Sequence, residues 1–378
     1  MTAMKLLHLN SYFIDNHLYA QLYSVLNATV EQRVYIPIKL DREPENKVSL
    51  SQTELIFDKR IVPSHKFTYF KKIRTLFKAI ESKKLAEDID FVHAHNLFTD
   101  GALAYKLKKK YRLSYIVAVR TTDIGLQYRL MWHRRPFIHR VLKSADQIVF
   151  ISNTYRDKLF AMMPKSLVSK IEHKVRVIPN GIDDMWLNNI QRPRAMPLVD
   201  RVHLLYVGQI ISRKNVLLLI EAVTLLNKET GDKYILTVIG PESKTEPDYY
   251  RTFLDLIKTL PWVDYKGRVK PGEELLEAYR SCDIFVMPSK YELFGLVYIE
   301  ALSQGKPVLY AEGEGIDGFL KDYQAGKAVD PDNAKAISEG IRAIVKEYAT
   351  YTDFDDVVLP FNWNTIATVY KNMYRKHE

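Results

Sequence analysis

The stretch MPSKYELFGLVYIEALSQGKPVLYAEGEG, Met287 to Gly315, decides the fold. It continues an apolar run, Ile284 to Ser289, crosses a short polar loop holding Glu292, enters a helix near Phe294 and Gly295, and returns as a second apolar run, Pro307 to Glu312. Strand, helix and strand in succession are the building unit of a parallel sheet. A helix starting at Gly295 turns free backbone N–H groups and a partial positive charge toward the loop, which suits a diphosphate. Glycine there lets a phosphate approach the backbone, because it has no Cβ. Glu300 lies eight residues beyond Glu292, so it can accept hydrogen bonds from a ribose diol while Glu292 meets a sugar at the mouth of the loop. A plainer reading of the pair stands beside this one: Glu292 caps the helix and Glu300 makes a surface ion pair.

The same alternation runs along the whole chain. Strands are expected at Lys5–Asn10, Val34–Ile38, Phe91–His95, Tyr115–Arg120, Gln147–Ser152 and Val175–Pro179, with amphipathic helices between most of them. After a linker at Asn188–Asp200, which has two prolines and no periodicity, a second series follows at His203–Gly208, Ile235–Gly240, Val263–Gly267, Ile284–Ser289, Pro307–Glu312 and Lys327–Asp330. The expected architecture is α/β, with two doubly wound parallel-sheet domains: residues 1–190, joined by a closing helix within 362–378, and residues 199–361. Doubly wound sheets bind ligands beyond the C-terminal ends of their strands, where strand order reverses. Residues just past those ends include Asn10, His95, Arg120, Gly208, Gly240, Arg268 and Ser289. Neither a GxGxxG run nor a Walker loop is present, which removes the main support for a dinucleotide enzyme or a P-loop enzyme.

A chain of 378 residues with 47% hydrophobic and 26% charged residues can build two full cores. Cys282 is the only cysteine, which excludes an internal disulfide and a Cys-rich metal site and fits a reducing compartment. No apolar run approaches the roughly 20 residues of a membrane-spanning helix. The N-terminus lacks a signal-peptide pattern, so a cytoplasmic location is expected. Charge is uneven: residues 1–190 hold 31 Lys and Arg against 18 Asp and Glu, the remainder 24 against 27. Much of the excess lies in HKFTYFKKIRTLFKAIESKK, KLKKKYR and YRLMWHRRPFIHR, where cations alternate with aromatics. On a helical wheel Tyr69, Phe70, Ile73, Leu76, Phe77 and Ile80 share one face, opposite Lys71, Arg74 and Lys78. That helix reads either as packed on the core with a solvated charged face, or as attracted to anionic lipid on the inner face of the plasma membrane. No nucleic-acid-binding signature accompanies the charge.

The segment from Met287 resembles the signature of the retaining nucleotide-sugar glycosyltransferases of family 4. That signature is Glu, any residue, Phe-Gly, a second Glu eight positions after the first, then Ala and Gly-x-Pro-Val; here it is Glu292, Phe294, Gly295, Glu300, Ala301, Gly305, Pro307 and Val308. VIPNGID, YVGQIISRKNVLLLIEAV, LTVIGPE, YKGRVKPGEELLEAYRSCDIFVMPS and FNWNTIATVYKNMY are similar to further family blocks, in the family's order. The resemblance covers the second domain and parts of the first. It implies the GT-B fold, two facing Rossmann-like domains with the active site in the cleft between them and the donor held by the second. It makes Lys214 the phosphate lysine, Glu292 the donor-sugar contact, Glu300 the ribose ligand, and Phe294, Gly295, Leu296 and Val297 a backbone cradle for phosphate. Gly208, Gln209 and Arg268 join the donor set. Gln209 stands where the family usually has Arg, and Arg213 is the candidate to supply the missing charge. His95, in FVHAHNLF, matches the family histidine near the reaction centre, while His93 is assigned to the opposite side of its strand and to the core. Asn10, Arg120 and Asp123 are candidate contacts to donor or acceptor. The loop SYFIDN lacks the glycine pair common in the family.

The resemblance further implies a front-face reaction, in which the diphosphate leaves and takes the acceptor's proton while the protein positions the substrates. Asp88-Ile89-Asp90 and Asp353-Phe354-Asp355 match a metal-binding spacing only by chance, since the first pair precedes its strand; no cofactor or essential metal is expected. The expected partners are a nucleotide sugar, UDP-linked by preference, and a glycan or lipid-linked acceptor of surface polysaccharide or glycoconjugate synthesis. A peripheral contact with anionic membrane through the basic domain and no contact with nucleic acid complete the expectation. Two alternatives stand: a catalytically silent nucleotide-sugar-binding subunit, and a nucleotide-sugar epimerase of the same fold.

Overall fold

The computed structural model describes residues 4–13, 18–43, 50–120, 122–194, 196–198, 200–292 and 294–375. Positions 14–16 of the loop SYFIDN, positions 195 and 199 of the expected linker, and positions 376–378 lie outside the described residues. The chain divides into two units, the first from Met1–Ile151, Tyr155–Asn180 and Trp363–Glu378, the second from Ser152–Thr154 and Gly181–Asn362.

In the first unit seven strands, β1 (Met4–Leu9), β2 (Val30–Lys39), β3 (Thr53–Ile61), β4 (Phe91–Ala94), β5 (Ser114–Val119), β6 (Gln147–Phe150) and β7 (Val175–Val177), pair in the order β3-β2-β1-β4-β5-β6-β7. Every pairing is parallel. Six of these were expected within a few residues; β3 was not. Its sequence TELIFDKRI carries four charges and lies at the sheet edge, where one open side tolerates them and blunts pairing with other chains. One face of the sheet is covered by helices Tyr69–Ser82, Asp100–Tyr111 and Arg135–Ser144, whose Ile73, Leu76, Leu103, Leu107, Ile138 and Val141 are buried. The other is covered by helices Leu18–Leu26 and Trp363–Arg375 through Leu22, Leu26, Ile366, Tyr370 and Tyr374. The Trp363 indole N–H donates to Gln21 Oε1 at 2.5 Å. The closing helix therefore belongs to the first unit.

The second unit carries six strands, β8 (Val202–Val207), β9 (Tyr234–Ile239), β10 (Val263–Gly267), β11 (Ile284–Met287), β12 (Val308–Ala311) and β13 (Gly326–Val329), in the order β10-β9-β8-β11-β12-β13. These pairs are also all parallel. Each sheet reverses direction once, between β1 and β4 in the first unit and between β8 and β11 in the second. Those two points are where ligands bind in doubly wound folds.

The chain crosses from the first unit to the second between Asn180 and Gly181, not near residue 190. Residues 181–194 are anchored in the second unit: Ile182 N–H donates to the Phe361 carbonyl, Trp186 packs edge-on against Tyr279, and Gln191 N–H donates to the Ser303 carbonyl. The start of the expected linker is thus packed structure. Gly305, at φ +70°, is required there, since a Cβ would lie 2.5 Å from the Arg192 backbone.

Candidate active site

At the reversal point of the second unit, β8 runs into Gly208 and Gln209, and β11 into Ser289 and Glu292. The ends of β8, β9 and β10 are glycines or lead into them. A Cβ on Gly240 would lie 1.8 Å from the Gly208 carbonyl oxygen, so only glycine lets these two strand ends meet. Beyond Gly208, the 3-10 turn Ser212–Lys214 is stitched to the β11 loop. The Lys290 N–H donates to the Arg213 carbonyl at 2.7 Å, and the Asn215 amide donates to the carbonyls of Pro288 and Pro331. Asn215 holds the left-handed φ of +63° that this turn needs before helix Val216–Thr230 begins.

This stitching brings Lys214 onto Glu292. The Lys214 ammonium pairs with Glu292 Oε2, the Ser289 hydroxyl donates to the same oxygen at 3.1 Å, and Arg213 Nη1 stands 3.9 Å away. Glu292 and Lys214 are nearly buried, whereas Arg213 is 45% exposed. Glu292 does not cap the helix; it holds two cations at the place where strand order reverses. Gln209 offers no charge here, and its carbonyl accepts from the Tyr206 hydroxyl.

Helix Leu296–Ser303 starts at Gly295, which has φ +77°. A Cβ on Gly295 would lie 2.5 Å from the Tyr298 ring, so both space and backbone demand glycine. Leu296 and Val297 form the first turn, whose N–H groups have no intrahelical partner by construction. The Phe294 side chain is buried against Phe361 and Phe319 and anchors the turn from below, so only its backbone is available to a ligand. Glu300 sits one turn further along. Its carboxylate accepts from the Tyr279 hydroxyl at 3.1 Å, and burial pushes its pKa up to about 7. It is not a surface ion pair. Arg268 lies exposed beyond β10, two strands from β8, and makes no described contact with the Lys214–Glu292 group.

In the first unit, β1 leads into Asn10 and β4 into His95. The Asn10 amide donates to the Tyr23 hydroxyl at 2.8 Å, and its Oδ1 accepts from Tyr12 N–H. His95 Nε2 is 3.2 Å from Tyr23 Oη and 3.1 Å from His8 Nδ1. Its Nδ1 has no hydrogen-bond partner among the described residues. His93 does not point away from His95: residues two apart on a strand share a face, and the two rings stack at 4.0 Å. Register places His8 of β1 directly beside His93 of β4, which completes a cluster of three fully buried imidazoles. Burial lowers the pKa of all three, that of His8 to about 3, so they are neutral at physiological pH. Among the described residues this is the one group with spacing compatible with a metal ion. His8 and His95 spend a nitrogen each on one another, and no carboxylate joins them.

Arg120 donates from Nε to the His95 carbonyl and lies over the Tyr19 ring. Asp123, expected as a substrate contact, is occupied otherwise: its oxygens accept from the N–H groups of Leu97, Phe98 and Arg120. It clamps the turn that follows His95. Asp100, which sequence reasoning missed, accepts from Ser11 N–H and Asn96 Nδ2, and burial pushes its pKa up to about 8. Tyr279 and Asn215 were missed as well. Only Asn215, immediately after Lys214 in a turn, carries a local signal.

Comparison with known proteins bears on both units. Residues 192–356 match the family model Glycosyl transferases group 1, and residues 29–185 match Glycosyltransferase Family 4. An uncharacterised glycosyltransferase of Methanocaldococcus jannaschii is 26% identical over 303 residues, covering 76% of this chain and 75% of that protein. The structure of sucrose-phosphate synthase from Thermosynechococcus elongatus superposes with a TM-score of 0.75 at 19% identity, covering 99% of both chains. HepE of Anabaena, solved with UDP and glucose, does so with a TM-score of 0.69 at 14% identity over 98% of both. With both sheets wound in the same order and a family model matched to each half, the chain belongs to the group 1, family 4 glycosyltransferases of the GT-B fold.

Proposed function

We propose that this glycosyltransferase is a retaining, metal-independent enzyme that moves a sugar from a UDP-sugar to a glycan or lipid-linked acceptor, in surface polysaccharide or glycoconjugate synthesis of the bacterial type. The observation that carries the reading is the Lys214–Glu292–Arg213 group at the reversal point of the second unit, beside a helix that starts on an obligatory glycine. Two cations and a first helical turn are a fitting receptor for a diphosphate. Without donor, Glu292 neutralises Lys214. A bound diphosphate takes over the ammonium, and the displaced carboxylate is then free to accept hydrogen bonds from the sugar. UDP is preferred because HepE, of similar fold, was solved with it.

In the proposed step the bond between the anomeric carbon and the diphosphate oxygen breaks while Lys214 and Arg213 offset the growing negative charge. The acceptor oxygen bonds to that carbon on the same face, and its proton passes to the departing phosphate oxygen. No protein group needs to be a strong base. His95, fully buried in the first unit, is a neutral imidazole, and its Nδ1 has no hydrogen-bond partner among the described residues. The test is donor turnover by Glu292→Ala and Lys214→Ala. Each is expected to cut transfer by at least about a hundredfold while far-UV circular dichroism stays native, the loss of a charge-assisted bond and of transition-state charge stabilisation together. Near-normal turnover by both variants would refute the assignment.

A further inference from the structure

Residues 63–80 and 124–145 contain five Lys or Arg each and no Asp or Glu. The fold brings the two segments together: Arg134 lies over the Tyr69 ring at 4.5 Å, and Phe70 meets Phe137 edge-on at 5.5 Å. Around this seam four large apolar side chains stand in solvent. Phe67, after the 3-10 turn Pro63–Lys66, is 82% exposed, Trp132 is 72%, Leu130 57% and Phe70 53%. The apolar stripe of helix Tyr69–Ser82 is spent on the core at Ile73, Leu76 and Ile80, so these four are surplus to folding. Exposed apolar groups clustered on turn tips among cations cost free energy in water unless something covers them.

We propose that this surface docks on an anionic phospholipid bilayer, with Phe67 and Trp132 inserted at the headgroup level and the surrounding Lys and Arg on lipid phosphates. Charge decides the occupant: the patch holds no carboxylate, and aromatic side chains flanked by cations are what an interface of apolar tails and negative headgroups selects. Segment 63–68 follows the end of β3 and segment 124–137 the end of β5, so the patch lies at the same edge of the parallel sheet as His95. An acceptor handled at that edge is then lipid-anchored. This rests on the glycosyltransferase reading above and narrows its acceptor class.

The test uses the full chain and vesicles of phosphatidylcholine with or without phosphatidylglycerol. Trp132 is the one well-exposed tryptophan; Trp186, Trp262 and Trp363 are buried. The expected results are flotation with anionic vesicles at low salt, a blue shift of tryptophan emission that Trp132→Phe abolishes while still floating, and at least tenfold weaker flotation of Phe67→Ser/Trp132→Ser. Absence of flotation, flotation without a blue shift, or an unchanged double variant would overturn the proposal. So would displacement of the vesicles by random duplex DNA. A UDP-induced thermal shift of the double variant separates the two readings, because its retention leaves the donor site standing when membrane docking fails.

Discussion

The three imidazoles of His8, His93 and His95 are held neutral by burial, and this makes the first unit sensitive to acid. Their folded pKa values lie below the unfolded value of about 6.5, so their contribution is complete above that pH and is lost as pH falls beneath it. Each costs about 1.4 kcal/mol per pH unit in that range. Urea unfolding at pH 7, 6 and 5 is expected to show a steep loss of stability that His93→Phe lessens; a flat profile would contradict it. Asp100 has the opposite sign. Its folded pKa of about 8 lies above the unfolded value, so the stability it contributes falls as pH rises from about 4 to 8. Asp100→Asn should therefore gain on the wild type as pH is raised from 5 to 8 in the same assay. His95 was readable from sequence, since it follows a strand at a reversal point. The neighbours that set its protonation were not, because His8 meets His93 only through the register of β1 on β4.

At the scale of elements, helix Leu296–Ser303 and its entry turn are the most constrained part of the proposed donor site. Gly295→Ala adds a Cβ 2.5 Å from the Tyr298 ring and forces a left-handed backbone on alanine, at a cost of about 1–2 kcal/mol for the backbone alone. Thermal melting should detect this loss, and UDP binding should weaken with it; an unaltered melting temperature would show that the turn relaxes. Glu300, further along the helix, has a pKa of about 7, and as a carboxylate it is the better acceptor for a ribose diol. UDP affinity is expected to rise between pH 6 and 8 and to lose that dependence in Glu300→Gln, as read by calorimetry. Spacing along the sequence located this helix because glycine, Glu292 and Glu300 are local signals. It could not supply Tyr279, which reaches the Glu300 carboxylate from another segment. Edge strand β3 escaped for a related reason, since Glu54, Asp58, Lys59 and Arg60 break the apolar pattern that marks interior strands.

Over the whole molecule, the division of charge follows the division of chemistry. The basic excess lies within residues 1–190 and carries the proposed lipid-facing surface, whereas the cations of the proposed donor site are a few residues in a half that is net acidic. The path of the chain was less legible than its strands, because residues 188–200 look like a linker in composition, yet their start is fastened by Gln191 and the residues just before them by Trp186. The central claim is that Lys214 receives the donor diphosphate and that Glu292 holds its place beforehand. Titration of UDP into the intact chain, Lys214→Ala and Glu292→Gln tests it most directly. The account predicts binding by the wild type, at least tenfold weaker binding by Lys214→Ala, as expected for a lost charge-assisted bond of about 1.5–3 kcal/mol, and equal or tighter binding by Glu292→Gln, whose competing charge is gone. Undiminished UDP binding by Lys214→Ala, or none by the wild type, would contradict it.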